Sequence, residues 1–125
     1  MKSENEISDI LLKYYETFHK KDWKVFAEYL SENFIYFSDN ITIMKKNSFV
    51  EFLKKDKWQG LEYKVYDINI TLSENKDMAF ASYKTSFTGL MDNKEMTISA
   101  IETTIFVKLN NEWKIVHSHT SNIMK

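Results

Sequence analysis

Ile98-Ser99-Ala100-Ile101-Glu102-Thr103-Thr104-Ile105-Phe106-Val107-Lys108-Leu109, followed by Asn110-Asn111 and then Glu112-Trp113-Lys114-Ile115-Val116-His117-Ser118-His119-Thr120-Ser121, is the stretch whose reading decides the fold. Two β-rich runs flank a pair of asparagines, the signature of a hairpin with a two-residue turn. That turn sets Leu109 opposite Glu112, which carries Thr104 opposite His117 and Glu102 opposite His119. Paired side chains in an antiparallel sheet have Cβ atoms about 4.5–5.5 Å apart, so the hairpin is expected to gather two imidazoles and a carboxylate on one face. Three ionisable groups at that spacing mark a candidate site.

Upstream, the same period of two runs through Val65 to Leu72, Met78 to Met91 and Glu95 to Leu109, with Glu112 to Ile123 as the last strand. The breaks at Ser73-Glu74-Asn75-Lys76-Asp77 and Asp92-Asn93 are turn-forming sequences, so the four strands read as an antiparallel meander. A two-residue turn at Asp92-Asn93 pairs Tyr83 with Glu102, Thr85 with Ala100 and Phe87 with Ile98, on the face expected to hold His117 and His119. A bulge would alter this register.

The first third of the chain has helical periodicity. Ile7, Ile10, Leu11, Tyr14 and Phe18 fall on one stripe, with Ser3 and Glu6 as a capping pair and Lys20-Lys21 suited to the carboxyl end. Asp22 is placed to cap a second helix bearing Trp23, Phe26, Ala27 and Leu30. Phe34 to Phe37 and Ile41 to Met44 are short strand-like runs around Ser38-Asp39-Asn40, and Asn47 or Ser48 opens a third helix through Phe49, Phe52 and Leu53 that ends before Gly60. Three helices before a long meander make an α+β plan, with the helices packed on one face of the sheet. No proline, linker or repeat divides residues 1–125, which are expected to form one domain.

Composition narrows the functional classes. Seventeen basic residues against eighteen acidic ones, mixed along the chain, lack the basic footprint of a nucleic-acid binder, and Lys54-Lys55-Asp56-Lys57 reads as a solvated helix end. There is no cysteine, no apolar run near the roughly 18 residues of a membrane helix, and an acidic start unlike a signal peptide, so a cytoplasmic protein without a membrane partner is expected. Nine Phe, seven Tyr and three Trp exceed the needs of a minimal core, and some of these rings are expected to line a cavity.

Glu102-Thr103-Thr104-Ile105-Phe106 and Trp113-Lys114-Ile115-Val116-His117-Ser118-His119-Thr120-Ser121 resemble the nuclear transport factor 2-like superfamily. The likeness is to its SnoaL-like branch, near the calcium/calmodulin-dependent kinase II association domain. The resemblance implies a cystatin-like cone, a curved and mainly antiparallel sheet whose helices close a pocket, and it spans nearly the whole chain. It also implies that the position of Thr104 faces the pocket, where the association domain carries an arginine. Threonine cannot bind a carboxylate bidentately, so an acidic ligand does not carry over.

Relatives of this fold that isomerise ketosteroids, dehydrate scytalone or cyclise polyketides hold a carboxylate or a His–Asp pair inside the cone. The resemblance therefore makes Glu102, His119 and Asp39 candidate catalytic groups for cofactor-free isomerase, dehydratase or cyclase chemistry, with Glu102 orienting the imidazole as base. Asp39 also suits plain turn chemistry, and His117 and His119 also suit core imidazoles bonded to Thr104 and Glu102. The two histidines with Glu102 have a spacing that zinc accepts, but the resemblance offers no general metal site, and none is expected. Tyr14, Trp23, Tyr36, Trp58, Tyr83, Thr104 and His117 are the candidate ligand-binding residues, the tyrosines as hydrogen-bond donors and the tryptophans as walls.

Three readings stay open at this point. They are a small-molecule-binding domain, a proton-transfer enzyme using the same groups, and a non-catalytic homodimerisation module pairing through the outer sheet face of Ile101, Thr103, Ile105, Val116 and Ser118.

Overall fold

The computed structural model describes residues 2–38 and 42–123, with the side chains of Lys2 and Ser3 excepted. Its elements are α1 (Lys2–Lys20), α2 (Trp23–Glu28), β1 (Leu30–Ser38), β2 (Ile43–Lys45), α3 (Lys46–Lys55), β3 (Gln59–Leu72), β4 (Met78–Met91), β5 (Lys94–Leu109) and β6 (Glu112–Ile123). The strands form one sheet in the order β2-β1-β6-β5-β4-β3, antiparallel throughout except for β1 beside β6. The three helices and the antiparallel meander are those the sequence pattern predicts, and the sheet is curved, as the resemblance implies, and unclosed. Asp39 and Asn40 of the expected turn and Ile41 of the expected second short strand lie outside the described residues, and the Ser3 cap rests on a side chain that is not described.

The α1 stripe is buried at Ile7, Leu11 and Tyr14 and half-buried at Ile10 and Phe18. A second row four residues apart, Ile7-Leu11-Tyr15, is also buried. These rows meet Phe26, Phe34, Phe106 and Ile115 in the core. The helix ends in a Schellman arrangement, with Asp22 N–H on Thr17 C=O (2.9 Å), Lys21 N–H on Phe18 C=O (3.1 Å) and Lys21 at φ 59. Asp22 holds the position before α2, but its side chain makes no capping bond; its backbone carbonyl accepts Phe26 N–H at 2.9 Å instead. The third helix starts at Lys46, slightly earlier than the Asn47 or Ser48 cap predicts, and Gly60 lies inside β3 instead of before it.

Both short turns are as read. Asp92 (φ 52), Asn93 (φ 66), Asn110 (φ 51) and Asn111 (φ 65) are all left-handed, the backbone of a two-residue type I′ turn, which Asn and Asp tolerate better than other side chains. The β4–β5 ladder then pairs Tyr83 with Glu102, Thr85 with Ala100 and Phe87 with Ile98 without interruption.

The last hairpin departs from expectation. It begins in register, Leu109 with Glu112 through Phe106 with Ile115, and then shifts: Ile105 pairs with His117, Thr104 with Ser118, Thr103 with His119 and Glu102 with Thr120. Val116 and His117 together oppose Ile105, a bulge. Beyond it every residue of β6 takes the face opposite to the one predicted, because side chains alternate with a strict period of two. Ser118 and Thr120 point into the cone, whereas His117 and His119 lie on the outer face. There His117 Nδ1 is 2.8 Å from the Ile35 carbonyl oxygen, and Phe37 packs edge-on against both imidazoles.

Two stability changes are expected, both read by chemical denaturation. Lys21→Gly relieves a left-handed lysine and raises stability by about 0.5–1 kcal/mol, since a non-glycine residue in that region costs about 1–2 kcal/mol and glycine returns part of this as chain entropy. Phe106→Ala, at a fully buried ring, lowers stability by about 3–5 kcal/mol.

Candidate functional site

The cone is hollow in two connected chambers. The inner one, about 150 Å³, is walled by Tyr14, Tyr15, Tyr36 and Phe49 and floored by Thr85, Ala100, Glu102, Ser118 and Thr120. The outer one, about 160 Å³, is bounded by Trp23, Trp58, Met91 and His19, with Lys21 and Asp56 among its polar members. Phe18, Leu53, Phe87 and Ile98 line both, so the two spaces meet across a shared apolar collar.

The outer chamber depends on the only two glycines of the chain. Gly60 and Gly89 are cross-strand partners on β3 and β4. A Cβ on Gly89 would lie 2.5 Å from the Gln59 carbonyl oxygen and 2.6 Å from Trp58 Cζ2, and one on Gly60 would lie 3.0 Å from His19 Nδ1. The missing side chains are the space in which Trp58 and His19 sit.

Glu102 is the centre of the inner chamber. It is 7% exposed and accepts three hydroxyl hydrogen bonds: Tyr15 (2.8 Å) and Thr120 (2.9 Å) on Oε1, and Thr85 (2.8 Å) on Oε2. Tyr15 Oη is also 2.8 Å from Tyr83 Oη, Tyr83 Oη is 2.7 Å from Thr104 Oγ1, and Thr104 Oγ1 is 2.8 Å from Ser118 Oγ. A hydroxyl has one hydrogen, so the carboxylate fixes the sense of the whole chain. Tyr15 donates to Glu102 and must accept from Tyr83, Tyr83 in turn accepts from Thr104, and Thr104 accepts from Ser118. The sequence Ser118→Thr104→Tyr83→Tyr15→Glu102 is a directed relay in which each bond polarises the next.

Burial pushes the Glu102 carboxyl above its ordinary value, and the hydroxyls of Thr85, Tyr15 and Thr120 draw it part of the way back. Burial, with the nearby Glu102 charge, also raises the Tyr14, Tyr15 and Tyr83 phenols well above theirs, so all three are neutral donors at physiological pH.

Of the residues singled out from sequence, Tyr14, Tyr36, Tyr83, Thr104 and Glu102 are brought together around the inner chamber, and Trp23 and Trp58 at the outer one. His117 and His119 are not. The expected Glu102–His119 pair is corrected, since the bulge puts the imidazole and the carboxylate on opposite faces of the sheet, and the same separation removes a shared zinc ion. Among the described residues no cluster of three or more His, Cys, Asp or Glu could hold a metal. Sequence reasoning missed Tyr15, Thr85, Ser118 and Thr120 as partners of the site. Tyr15 was discoverable from the Ile7-Leu11-Tyr15 row and Thr85 from the Asp92-Asn93 register; Ser118 and Thr120 were hidden by the bulge.

The raised Glu102 carboxyl has a signed consequence. Between the ordinary carboxylate value and the folded one, the native state binds more protons than the unfolded chain, so stability falls as pH rises through that window. Urea midpoints taken across the acidic range are expected to show this slope in the native protein and to lose it in Glu102→Gln. Gly89→Ala is expected to cost about 1–3 kcal/mol and to change tryptophan emission, because Trp58 must leave its seat.

Comparison with known proteins agrees with this architecture. An NTF2-like protein from Cytophaga hutchinsonii superposes with a TM-score of 0.87 at 13% identity, covering 98% of this chain and 100% of that one. The association domain of Caenorhabditis elegans CaMKII gives 0.81 at 16% identity, covering 94% of each chain. An NTF2-like protein with a cystatin-like fold from Novosphingobium aromaticivorans gives 0.79 at 12% identity, covering 96% of this chain and 81% of the other. A search of curated proteins finds no match. At such identities the solved structures establish the nuclear transport factor 2-like, cystatin-like fold alone. A family model for the SnoaL-like domain matches residues 7–125, and the chain therefore belongs to the SnoaL-like domain family.

Proposed function

We propose that residues 1–125 act as one ligand-binding domain, whose cone takes a small molecule with an apolar or aromatic body and a polar end. The observation that carries this reading is the pair of chambers sharing the Phe18, Leu53, Phe87 and Ile98 collar and ending on a buried carboxylate. Binding sites for small molecules are concave, mostly apolar and supplied with a few convergent polar groups, and this hollow has that composition. Tyr36, stacked on Phe49 at 4.4 Å, and Tyr14, stacked on Phe26 at 4.6 Å, give the inner walls rigidity. A charged group held under hydroxyls inside an open hollow is a costly way to build a core, since a leucine in its place would need no partners.

The directed relay favours a second reading, in which the bound molecule is turned over. Glu102 would take a proton from the substrate and return it elsewhere, as an isomerase, dehydratase or cyclase requires, with no cofactor involved. In that reading the base is Glu102 without His119. Asp39 and His119 have no part assigned by the described geometry.

The outer face favours self-association alongside either reading. Ile35, Phe37, Phe80 and Ile101 are exposed large apolar side chains on that face, Ile101 at 50%, and we assign it to a homodimer. Ser118, expected there from sequence, belongs instead to the cone. No helix among the described residues is long and apolar enough to cross a membrane.

Ala100→Phe, which fills the inner chamber from its floor, is the test of binding. Amide NMR of the native protein against a library of aromatic fragments is expected to show hits that shift Phe18, Phe87 and Ile98, and the filled variant is expected to bind them at least about tenfold more weakly. Equal affinity in the two proteins would overturn the assignment to this hollow. For the dimer, Ile101→Lys is expected to convert a concentration-dependent dimer into a monomer by sedimentation; a native protein that stays monomeric at high concentration would reject the interface.

A further inference from the structure

Six hydroxyls around the inner chamber have already committed their hydrogens. Thr85, Thr120 and Tyr15 donate to Glu102, Tyr83 donates to Tyr15, Thr104 to Tyr83, and Ser118 to Thr104. What these six leave over is acceptor capacity, and Tyr14, which also lines the chamber, carries a hydroxyl that accepts as well as donates. A carboxylate offers about four lone-pair sites, and Glu102 uses three, with Oε2 accepting only the Thr85 hydroxyl among the hydrogen bonds of the described residues.

Charge points the same way. Among the described residues, those that line the inner chamber include Glu102 but no lysine or histidine, and the chain contains no arginine at all. An anionic ligand would meet a like charge in a low-dielectric space, and a ligand without a donor would leave the remaining lone pair dry. The walls are ring faces, Tyr36, Phe18 and Phe87 among them, and such faces attract cations. Volume sets the scale: a dry cavity of about 150 Å³ holds one six-membered ring. The inner chamber therefore accommodates an ammonium head and a short stem, and the outer chamber, between Trp23 and Trp58, accommodates a ring.

We propose that the ligand of this cone is an organic cation of the aryl-alkyl amine class, its ammonium group donating to Glu102 and its ring seated in the tryptophan-lined outer chamber. The inference rests on the ligand-binding reading above and names its ligand class. An alcohol and an ammonium can both donate to the carboxylate, but only the ammonium adds the attraction of an opposite full charge, so the charged donor is selected over a neutral donor of similar shape.

The test compares three molecules that share a phenylethyl body and differ in the charge of the head group, 2-phenylethylamine, 2-phenylethanol and 3-phenylpropionate, by calorimetric titration of the full chain at neutral pH. The amine is expected to bind at least about tenfold more tightly than the alcohol and the carboxylate most weakly of the three. Glu102→Gln is expected to bring the amine down to the affinity of the alcohol while the alcohol changes by less than about twofold. Should that variant not fold, the native series decides alone. An alcohol or carboxylate that binds as tightly as the amine overturns the cation assignment and leaves the ligand-binding reading standing. If none of the three binds, the cation assignment is overturned as well, and the comparison with Ala100→Phe decides separately whether the hollow binds anything.

Discussion

A single buried carboxylate ties the molecule together. Glu102 sits on a central strand, and its three hydroxyl donors come from the first helix, the neighbouring β4 and the neighbouring β6. Taking an ionised carboxyl out of water is affordable only when its oxygens are satisfied, so docking α1 through Tyr15 and setting the register of β6 through Thr120 are conditions of the same balance. The relay extends that condition to Tyr83, Thr104 and Ser118. No side-chain nitrogen or oxygen that is buried among the described residues is left without a partner. The helix and the strands are thus positioned by polar geometry as well as by the apolar core around Phe26, Phe34 and Phe106.

Around this centre the aromatic side chains divide into two kinds of work. Phe34 and Phe106 are sealed in the core, whereas Trp23, Trp58, Phe18 and Phe87 stand at the edge of the hollow. The inner chamber is polar at its floor and the outer one is almost wholly apolar apart from Lys21, Asp56 and His19. The glycine pair makes that second chamber possible, since any Cβ on Gly89 would claim the volume that the Trp58 ring occupies. A ligand would pass from an indole-lined mouth to a hydroxyl-lined floor.

Much of this was legible in the sequence. The α1 stripe, the change from a helical period to a period of two, and the Asp-Asn and Asn-Asn turns predict the three helices, the meander and the whole β4–β5 register, because each depends on local chemistry that residues a few positions apart determine. The positions of Tyr83, Thr85 and Glu102 on one face follow from the Asp92-Asn93 turn alone. What was hidden was the Val116 bulge. Nothing in Ile115-Val116-His117 marks an extra residue; it is set by the distant demand that small hydroxyls, and not imidazoles, fill the fully buried space beside Thr104. The parallel pairing of β1 with β6 is similarly a product of tertiary packing, begun where Ile115 N–H donates to the Tyr29 carbonyl at 2.8 Å.

The bulge gives β6 a double text. One reading of its alternating residues, Ser118 and Thr120, lines the chamber with hydroxyls; the other, His117 and His119, would line it with bases. The two differ by a single step of register and by no change in amino-acid composition. In a fold that serves many purposes, a strand written this way lets a lineage exchange the chemistry of its interior by gaining or losing one irregularity in a hydrogen-bond ladder, leaving every residue of the strand in place.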